Sequence, residues 1–448
     1  MKKGQTLSGK IIRLDSKNRG IALSEAGYCA VKNALPGQEI TFTVKKTRSK
    51  IPEGRLVSID KKAPLEITSP CPHFGKCGGC LMQSFPYDEQ LRIKENQLRH
   101  LLEIENFARI YPSPRQFGYR NKMEFSFGDE YKGGPLALGM HCRESFYDVV
   151  TVCECQIVDE DYQKILKFTH GYFKDKYSYY HRMNHVGYLR HLLIRKGTKT
   201  GEILIALVTS SQESHDLTPW KEGLLGIPLT GRVNGILHII NDSLADVIHA
   251  DKIDILYGKD WFHEEILGLR FKITPFSFFQ TNSLGAEVLY GIVREYVGAI
   301  KTLANKPVIY DLYCGTGTIT QLLAPYAEKI IGVDIVAEAI AAANENASSN
   351  GLHNCKFIAG DVLKILDEIE EKPDFIVLDP PRDGLHPKAI QKILAYDVKY
   401  LIYISCKPLS LSRDLKEFYS AGYAVSRAAA VDLFPATGNV EVVCLLAK

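Results

Sequence analysis

Apolar and polar positions alternate in five short segments near the start of the chain: Leu7 to Leu14, Gly20 to Leu23, Tyr28 to Val31, Glu39 to Val44 and Gly54 to Ile59. Turn-forming stretches separate them, among them Asn18-Arg19-Gly20 and Leu35-Pro36-Gly37. A period of two broken by such residues predicts strands. Five of them predict an OB-like β-barrel over residues 1–60. A helical pattern runs from Tyr87 to Leu102. Strand patterns then dominate to about residue 255. They include the strand that Tyr119 to Phe125 leads into, Leu189 to Gly197, Gly201 to Val208, Val233 to Asn241 and Ala245 to Ile248. An antiparallel sheet with helices at its ends is expected for an α+β region over 61–256. Beyond 257 the rhythm changes. A helix is expected from about Leu284 to Thr302, and strands and helices then alternate. The strands are Val308 to Tyr313, Lys329 to Val333, Cys355 to Ala359, Phe375 to Leu378 and Tyr400 to Ile404. The helices are Ile319 to Ala327, Ala337 to Ser349 and Pro387 to Leu394. That alternation predicts a doubly wound α/β domain over 257–448.

Length agrees with several domains, since 448 residues exceed one ordinary core. Hydrophobic and charged contents of 45% and 24% are those of a soluble globular protein. A net charge of +3 is too small to indicate nucleic acid by itself, so any basic surface must be local. One such cluster is Lys45, Lys46, Arg48, Lys50 and Arg55 in the barrel. A solvated face is the bland reading of it, and a phosphate-contacting patch the alternative. No apolar run is long enough to span a bilayer, and Met1-Lys2-Lys3-Gly4 opens no signal-peptide pattern, so the cytoplasm is the expected location. Eleven cysteines in uneven clusters then favour metal or catalytic roles over disulfides.

In open α/β sheets ligands bind beyond the carboxyl ends of the strands. Three strand ends carry chemistry here. The first is Val308-Ile309-Tyr310-Asp311-Leu312-Tyr313-Cys314-Gly315-Thr316-Gly317, a strand followed by a glycine turn. Gly315 and Gly317 let the backbone approach a ligand closely. Asp311 precedes the glycines, Asp334 closes the next strand where an acid can take both ribose hydroxyls, and Asp361 ends a third where a carboxylate can accept from an adenine amine. Three acids with few glycines differ from a dehydrogenase fingerprint and suit a cofactor without phosphate. The second is Phe375-Ile376-Val377-Leu378-Asp379-Pro380-Pro381-Arg382, whose prolines fix a rigid turn around Asp379. The third is Tyr400-Leu401-Ile402-Tyr403-Ile404-Ser405-Cys406-Lys407-Pro408, a buried strand that stops at Cys406. Taken alone, Cys406 reads as a packed core thiol.

A further cluster is Cys71-Pro72-His73-Phe74-Gly75-Lys76-Cys77-Gly78-Gly79-Cys80. Its spacing lets a loop wrap three thiolates around one metal centre, zinc or iron–sulfur. The fourth ligand must come from elsewhere, with Cys142, Cys153 and Cys155 available.

These motifs together resemble the uracil-C5 RNA methyltransferases, of the type that carries a TRAM barrel and an iron–sulfur loop and acts on 23S ribosomal RNA. The likeness spans nearly the whole chain. It implies a TRAM domain at 1–60, a central RNA-binding domain at 61–256, and a Rossmann-like S-adenosylmethionine-dependent domain at 257–448. By the same resemblance a [4Fe–4S] cluster sits on Cys71, Cys77, Cys80 and Cys155. The cofactor S-adenosylmethionine is contacted by Gln280, Tyr313, Asp334, Asp361 and Asp379. Cys406 is the nucleophile and Glu441 the general base. Uracil C5 is a poor nucleophile until a thiolate adds to C6, so the reaction needs a cysteine, an orienting carboxylate (Asp379) and a base. Arg120, Lys122, Arg190, His191 and Arg195 are physically plausible RNA contacts, and each reads equally well as a surface charge or a structural ion pair. The expected partner is RNA, met by a monomer away from any membrane. Barrel and cluster together favour ribosomal RNA over the tRNA T-loop.

Three positions depart from the family pattern. Lys407 replaces an asparagine, and Ala436 and Asn439 replace histidines. Lys407 is expected to lower the pKa of the Cys406 thiol. Two rival readings are a non-catalytic RNA-binding protein on the same fold, and an amino-group methyltransferase, in which an aromatic residue usually stands where this chain has Arg382.

Overall fold

A computed structural model of the chain describes residues 1–145, 147–245, 249–300 and 306–448. The five alternating segments close into a barrel of strands Thr6–Leu14, Gly20–Ser24, Gly27–Val31, Glu39–Lys46 and Glu53–Lys61. Its inward positions, among them Ile11, Ala22, Val31, Ile40 and Phe42, form a core of their own.

The central sheet has seven strands and is mixed rather than antiparallel. Strands Glu202–Thr209 and Arg232–Ile240 run parallel, because helix Thr218–Leu225 lies in the crossover between them. Residues 246–248 of the strand expected from Ala245, and the expected end of the following helix at Thr302, lie outside the described residues. That helix is described over Ser283–Gly298.

The third sheet positions the chemistry. Strands Cys355–Ala359, Lys329–Asp334, Val308–Leu312, Phe375–Leu378 and Tyr400–Ser405 lie side by side in that order and are all parallel. Strand Glu441–Ala447 pairs antiparallel with the last of them, and Ala424–Val431 pairs with it in turn. Phe107–Tyr111, drawn from the middle of the chain, adds an eighth strand. The sheet is buried on both sides, which explains its continuous apolar runs. Ile309, Ile330, Val377, Ile402 and Val443 pack into one core. Their neighbours Tyr310, Ile331, Ile376, Leu401 and Val442 pack into the other. The first core also takes Leu193, Ala206 and Ile239 of the central sheet, so the two sheets share one interior. The second takes Leu98 and Leu102 of helix Tyr87–Leu102. No helix among the described residues is long and apolar enough to cross a membrane.

Candidate active site and cysteine cavity

Five parallel strands end at one edge of the third sheet, and the antiparallel strand begins there. Ser405 pairs with Val442. Continuing that register by one residue sets Cys406 opposite Glu441, at the cross-strand spacing of about 5 Å. Asp379 follows the neighbouring strand Phe375–Leu378. Three groups separated in sequence thus meet at one sheet edge.

Their electrostatics are mutual. The half-buried Cys406 thiol is pushed up to about 11, first by burial and then by Glu441 and Asp379, against the pull of Arg382. Glu441 is 3% exposed and is held well above the usual carboxylate range, first by burial and then by Asp379, against Arg382. Asp379 is pushed up to about 7 by burial and by Asp311. The cation acting on the thiol is Arg382. Lys407, expected in that role, caps helix Pro408–Ser420 and points its ammonium at Asp383, 3.8 Å away. Cys406 itself lies just before that helix, whose N-terminus favours negative charge.

The cofactor turn has its own supports. Tyr313, Gly315 and Gly317 all take positive φ, of 69°, 53° and 73°. A side chain at Gly317 would strike the Phe357 ring, whereas the space beside Gly315 is open. Asp334 accepts the Gly315 N–H at 2.9 Å through one carboxylate oxygen and the Val336 N–H at 2.9 Å through the other. Asp361 caps helix Val362–Glu368 by accepting from Leu363 N–H. Tyr313 is pushed up to about 12 by burial and then by Asp361. Asp311 is fully buried, accepts from the Thr320 hydroxyl at 2.5 Å, and is pushed up to about 7 chiefly by burial. Its second oxygen has no protein partner. An orphaned acceptor, an open glycine and several carboxylates suit a ligand bearing positive charge and N–H donors, as S-adenosylmethionine does.

Gln280 sits in the turn before helix Ser283–Gly298. Its carbonyl accepts from the Asn121 amide at 3.1 Å, and that amide also donates to the Ser283 hydroxyl at 2.7 Å. Arg195 fastens the same turn, donating to the carbonyls of Thr274, Pro275 and Ser277 at 2.8, 3.1 and 2.8 Å. Arg195 is therefore a buried brace rather than an RNA contact. Arg190 and His191 are likewise buried, with Arg190 donating to the Asn241 carbonyl at 2.6 Å. Lys45, Arg48 and Lys50 of the barrel stay exposed.

One residue at the site escapes sequence reasoning. Tyr290 is buried, hydrogen-bonds Gln280, and has its pKa raised by burial and then by Asp379 and Glu441. It lies on the apolar stripe of its helix beside Ala286, Leu289 and Val293, so periodicity reads it as core.

The second cysteine group is distinct. Cys71, Cys77, Cys80 and Cys155 line one cavity of about 30 Å³, while Cys142 and Cys153 do not. No group of three or more Cys, His, Asp or Glu among the described residues is arranged to hold a metal ion. The cavity has room for more than one water-sized sphere, and apolar side chains including Met123, Met140, Val152 and Ile157 complete its wall. Burial pushes Cys80 up to about 11 and Cys155 up to about 12, and each feels the other thiols. Four cysteines thus face one largely apolar space.

Comparison with known proteins follows the same lines. Residues 86–448 match the tRNA (Uracil-5-)-methyltransferase family. A Clostridium tetani protein named as an uncharacterized RNA methyltransferase is 45% identical over 449 residues, which cover 99% of this chain and 98% of that protein. A similarly named protein of Caldanaerobacter subterraneus is 46% identical over 454 residues, covering 100% of both. The crystal structure of Pyrococcus abyssi tRNA (uracil-54, C5)-methyltransferase in complex with S-adenosyl-L-homocysteine superposes with a TM-score of 0.77 at 26% identity. It covers 98% of this chain and 100% of that one.

Proposed function

Because the chain belongs to the tRNA (Uracil-5-)-methyltransferase family, we propose that Cys406, Glu441 and Asp379 carry out methylation of uridine C5 in RNA through a covalent adduct. The family and its relatives make the protein an S-adenosylmethionine-dependent RNA methyltransferase of the uracil-C5 class. The observation that carries the assignment of roles is the register that sets Cys406 opposite Glu441.

The target uridine leaves its stack to reach the strand ends. Cys406 gives its proton to a neighbouring carboxylate whose proton affinity burial has raised; Asp379, at about 7, is suited to this. The sulfur adds to C6, and electron density moves to C5. Bound S-adenosylmethionine supplies the methyl group from its sulfonium. Glu441 then removes the C5 proton, the C5–C6 double bond re-forms, and the Cys406 sulfur leaves C6. Arg382 and the helix N-terminus behind Cys406 steady the thiolate. Gln280, Tyr313, Asp334 and Asp361 hold the cofactor, with Asp311, Gly315 and Gly317 shaping the turn beneath it.

We assign a [4Fe–4S] cluster to Cys71, Cys77, Cys80 and Cys155, supported by the shared cavity and its apolar wall. When bound it crosslinks the loop to the central domain through thiolate bonds, and no step of methyl transfer uses it.

The target is ribosomal RNA or tRNA. The pairing of barrel and cysteine loop favours 23S ribosomal RNA. The likeness to a tRNA enzyme over 98% of the chain, barrel included, favours tRNA. Mapping 5-methyluridine in total RNA with and without the protein names the molecule and the position. A 5-fluorouridine transcript of that site tests the chemistry, because fluorine cannot leave as a proton. A stable adduct to Cys406 is expected, and its absence with active enzyme overturns the mechanism.

A further inference from the structure

Glu441 opens strand Glu441–Ala447 and pairs with Val431 across the hairpin. Residues 432–440 close that hairpin, so whatever fixes them fixes the general base. They are gripped from the N-terminal half of the chain. Lys94, on helix Tyr87–Leu102, is wholly buried; its ammonium meets Asp432, also wholly buried, at 2.6 Å and donates to the Phe434 carbonyl at 3.1 Å. The N–H groups of Leu81 and Met82, just past the cysteine loop, both donate to the Ala436 carbonyl at 2.8 Å. Gln90, from the same helix as Lys94, accepts the Ala436 N–H at 2.8 Å. Tyr119 donates to the Pro435 carbonyl at 3.1 Å. The barrel takes part too, since the Asn18 side chain fills the space a Cβ would need at Gly438.

A buried Lys–Asp pair is costly to build and adds little net stability over an apolar pair of similar volume. Its value lies in geometry. Asp432 adjoins Val431, the cross-strand partner of Glu441, and Ala436 is held at φ 65°, a conformation a non-glycine residue keeps only when its surroundings impose it. We propose that Lys94 is a positioning residue for Glu441: through Asp432 and Phe434 it sets the loop that aims the base at the C5 proton. This rests on the assignment of Cys406 as nucleophile and Glu441 as base.

The chemistry supplies a readout that simple structural damage would not give. Cys406 can add and methyl transfer can proceed without the base, whereas release requires loss of the C5 proton. A displaced Glu441 therefore leaves a methylated adduct joined through the Cys406–C6 bond. The test uses the full chain with its cluster, methyl-labelled S-adenosylmethionine and the transcript of the mapped site, with unmodified uridine. Lys94→Met is expected to bind S-adenosylmethionine within about twofold of the unaltered protein. It should accumulate labelled, denaturant-stable RNA–protein adduct by about tenfold or more, the scale of losing a positioned base. If Lys94→Met fails to fold, Lys94→Met/Asp432→Leu removes both charges and is tested in the same way. Turnover without adduct in either folded variant, or loss of methyl transfer with none formed, overturns the proposal. The underlying assignment fails separately: then Cys406→Ala still yields 5-methyluridine, or the unaltered protein yields none.

Discussion

The half-buried Cys406 and the four cysteines of the cavity are divided by their surroundings. Around Cys406 stand ionisable groups: Glu441, Asp379 and Arg382. Around Cys71, Cys77, Cys80 and Cys155 stand methionines, aliphatics, Phe74 and one another, with His73 in the wall and Arg143 acting on Cys77 and Cys80, but no carboxylate lines the space. Burial pushes Cys406 and Cys80 alike to about 11, so the thiol pKa does not distinguish them. The neighbours do. A thiol beside carboxylates that take and return protons can form and break a bond within one turnover. Four thiols facing one largely apolar space have no carboxylate among its lining residues, which suits the ligand role proposed for them.

Substitution breaks this comparison most sharply at Cys406. Cys406→Ala should lower methyl transfer by about four orders of magnitude or more while S-adenosylmethionine still binds. Single-turnover kinetics and calorimetry check the two halves, and residual turnover near the normal rate would end the nucleophile assignment. On the other side, the proposed cluster requires that Cys155→Ser lower the iron content of the purified protein and its thermal midpoint by about 4 °C or more, with cofactor affinity unchanged. Cys142→Ser should do neither. Equal iron loss in the two variants would show that the cavity does not select its ligands.

What the sequence reveals of these regions follows from how local their signals are. Helix Tyr87–Leu102 and strand Phe375–Leu378 are read with their observed bounds because period and punctuation are contained in the segment. The strand ends at Asp379 and Cys406 are legible because a doubly buried run stops there. The helix expected over Ile319 to Ala327 divides instead, with Thr318–Leu323 followed by a tight turn over Ala324–Tyr326 that holds Pro325. Contacts distant in sequence leave no such trace. Lys94 reads as a surface charge on an amphipathic helix, since its partner Asp432 lies 338 residues away. Arg195 reads as an RNA contact because the carbonyls it satisfies belong to a turn about 80 residues on. The parallel pair in the central sheet is missed because strand direction depends on a crossover, not on the strands themselves.

The acids of the catalytic edge allow a finer test by pH. Asp311 and Asp379 move from an ordinary 3.8 up to about 7. The folded protein therefore holds protons between about pH 4 and 7 that the unfolded chain has released. These groups favour folding at the acidic end of that window, and their contribution is lost as pH rises through 7. A sulfonium cation favours their ionised forms. Affinity for S-adenosylmethionine should thus tighten between pH 6 and 8 by about tenfold for each carboxyl that must ionise. The thermal midpoint of the cofactor-free protein should fall over the same range, and less so with cofactor present. A dissociation constant that stays flat from pH 6 to 8 would mean that the acids do not face the cation.

The smallest expected effect separates two cations near Cys406. Lys407 is adjacent in sequence, yet its ammonium turns toward Asp383, whereas Arg382 acts on both the thiol and Glu441. Proximity along the chain favours the lysine, and the charge felt by the thiol and by Glu441 favours the arginine. Adduct formation with 5-fluorouridine RNA isolates thiol addition from proton removal, so its rate reports the thiolate directly. Lys407→Asn, which restores the residue usual in the family, should change that rate by less than about threefold, in keeping with a weak and partly exposed pair. Arg382→Gln should slow it by about tenfold, a shift of roughly one pKa unit. The reverse order would move the charge that supports Cys406 from the neighbouring strand end back to the residue beside it.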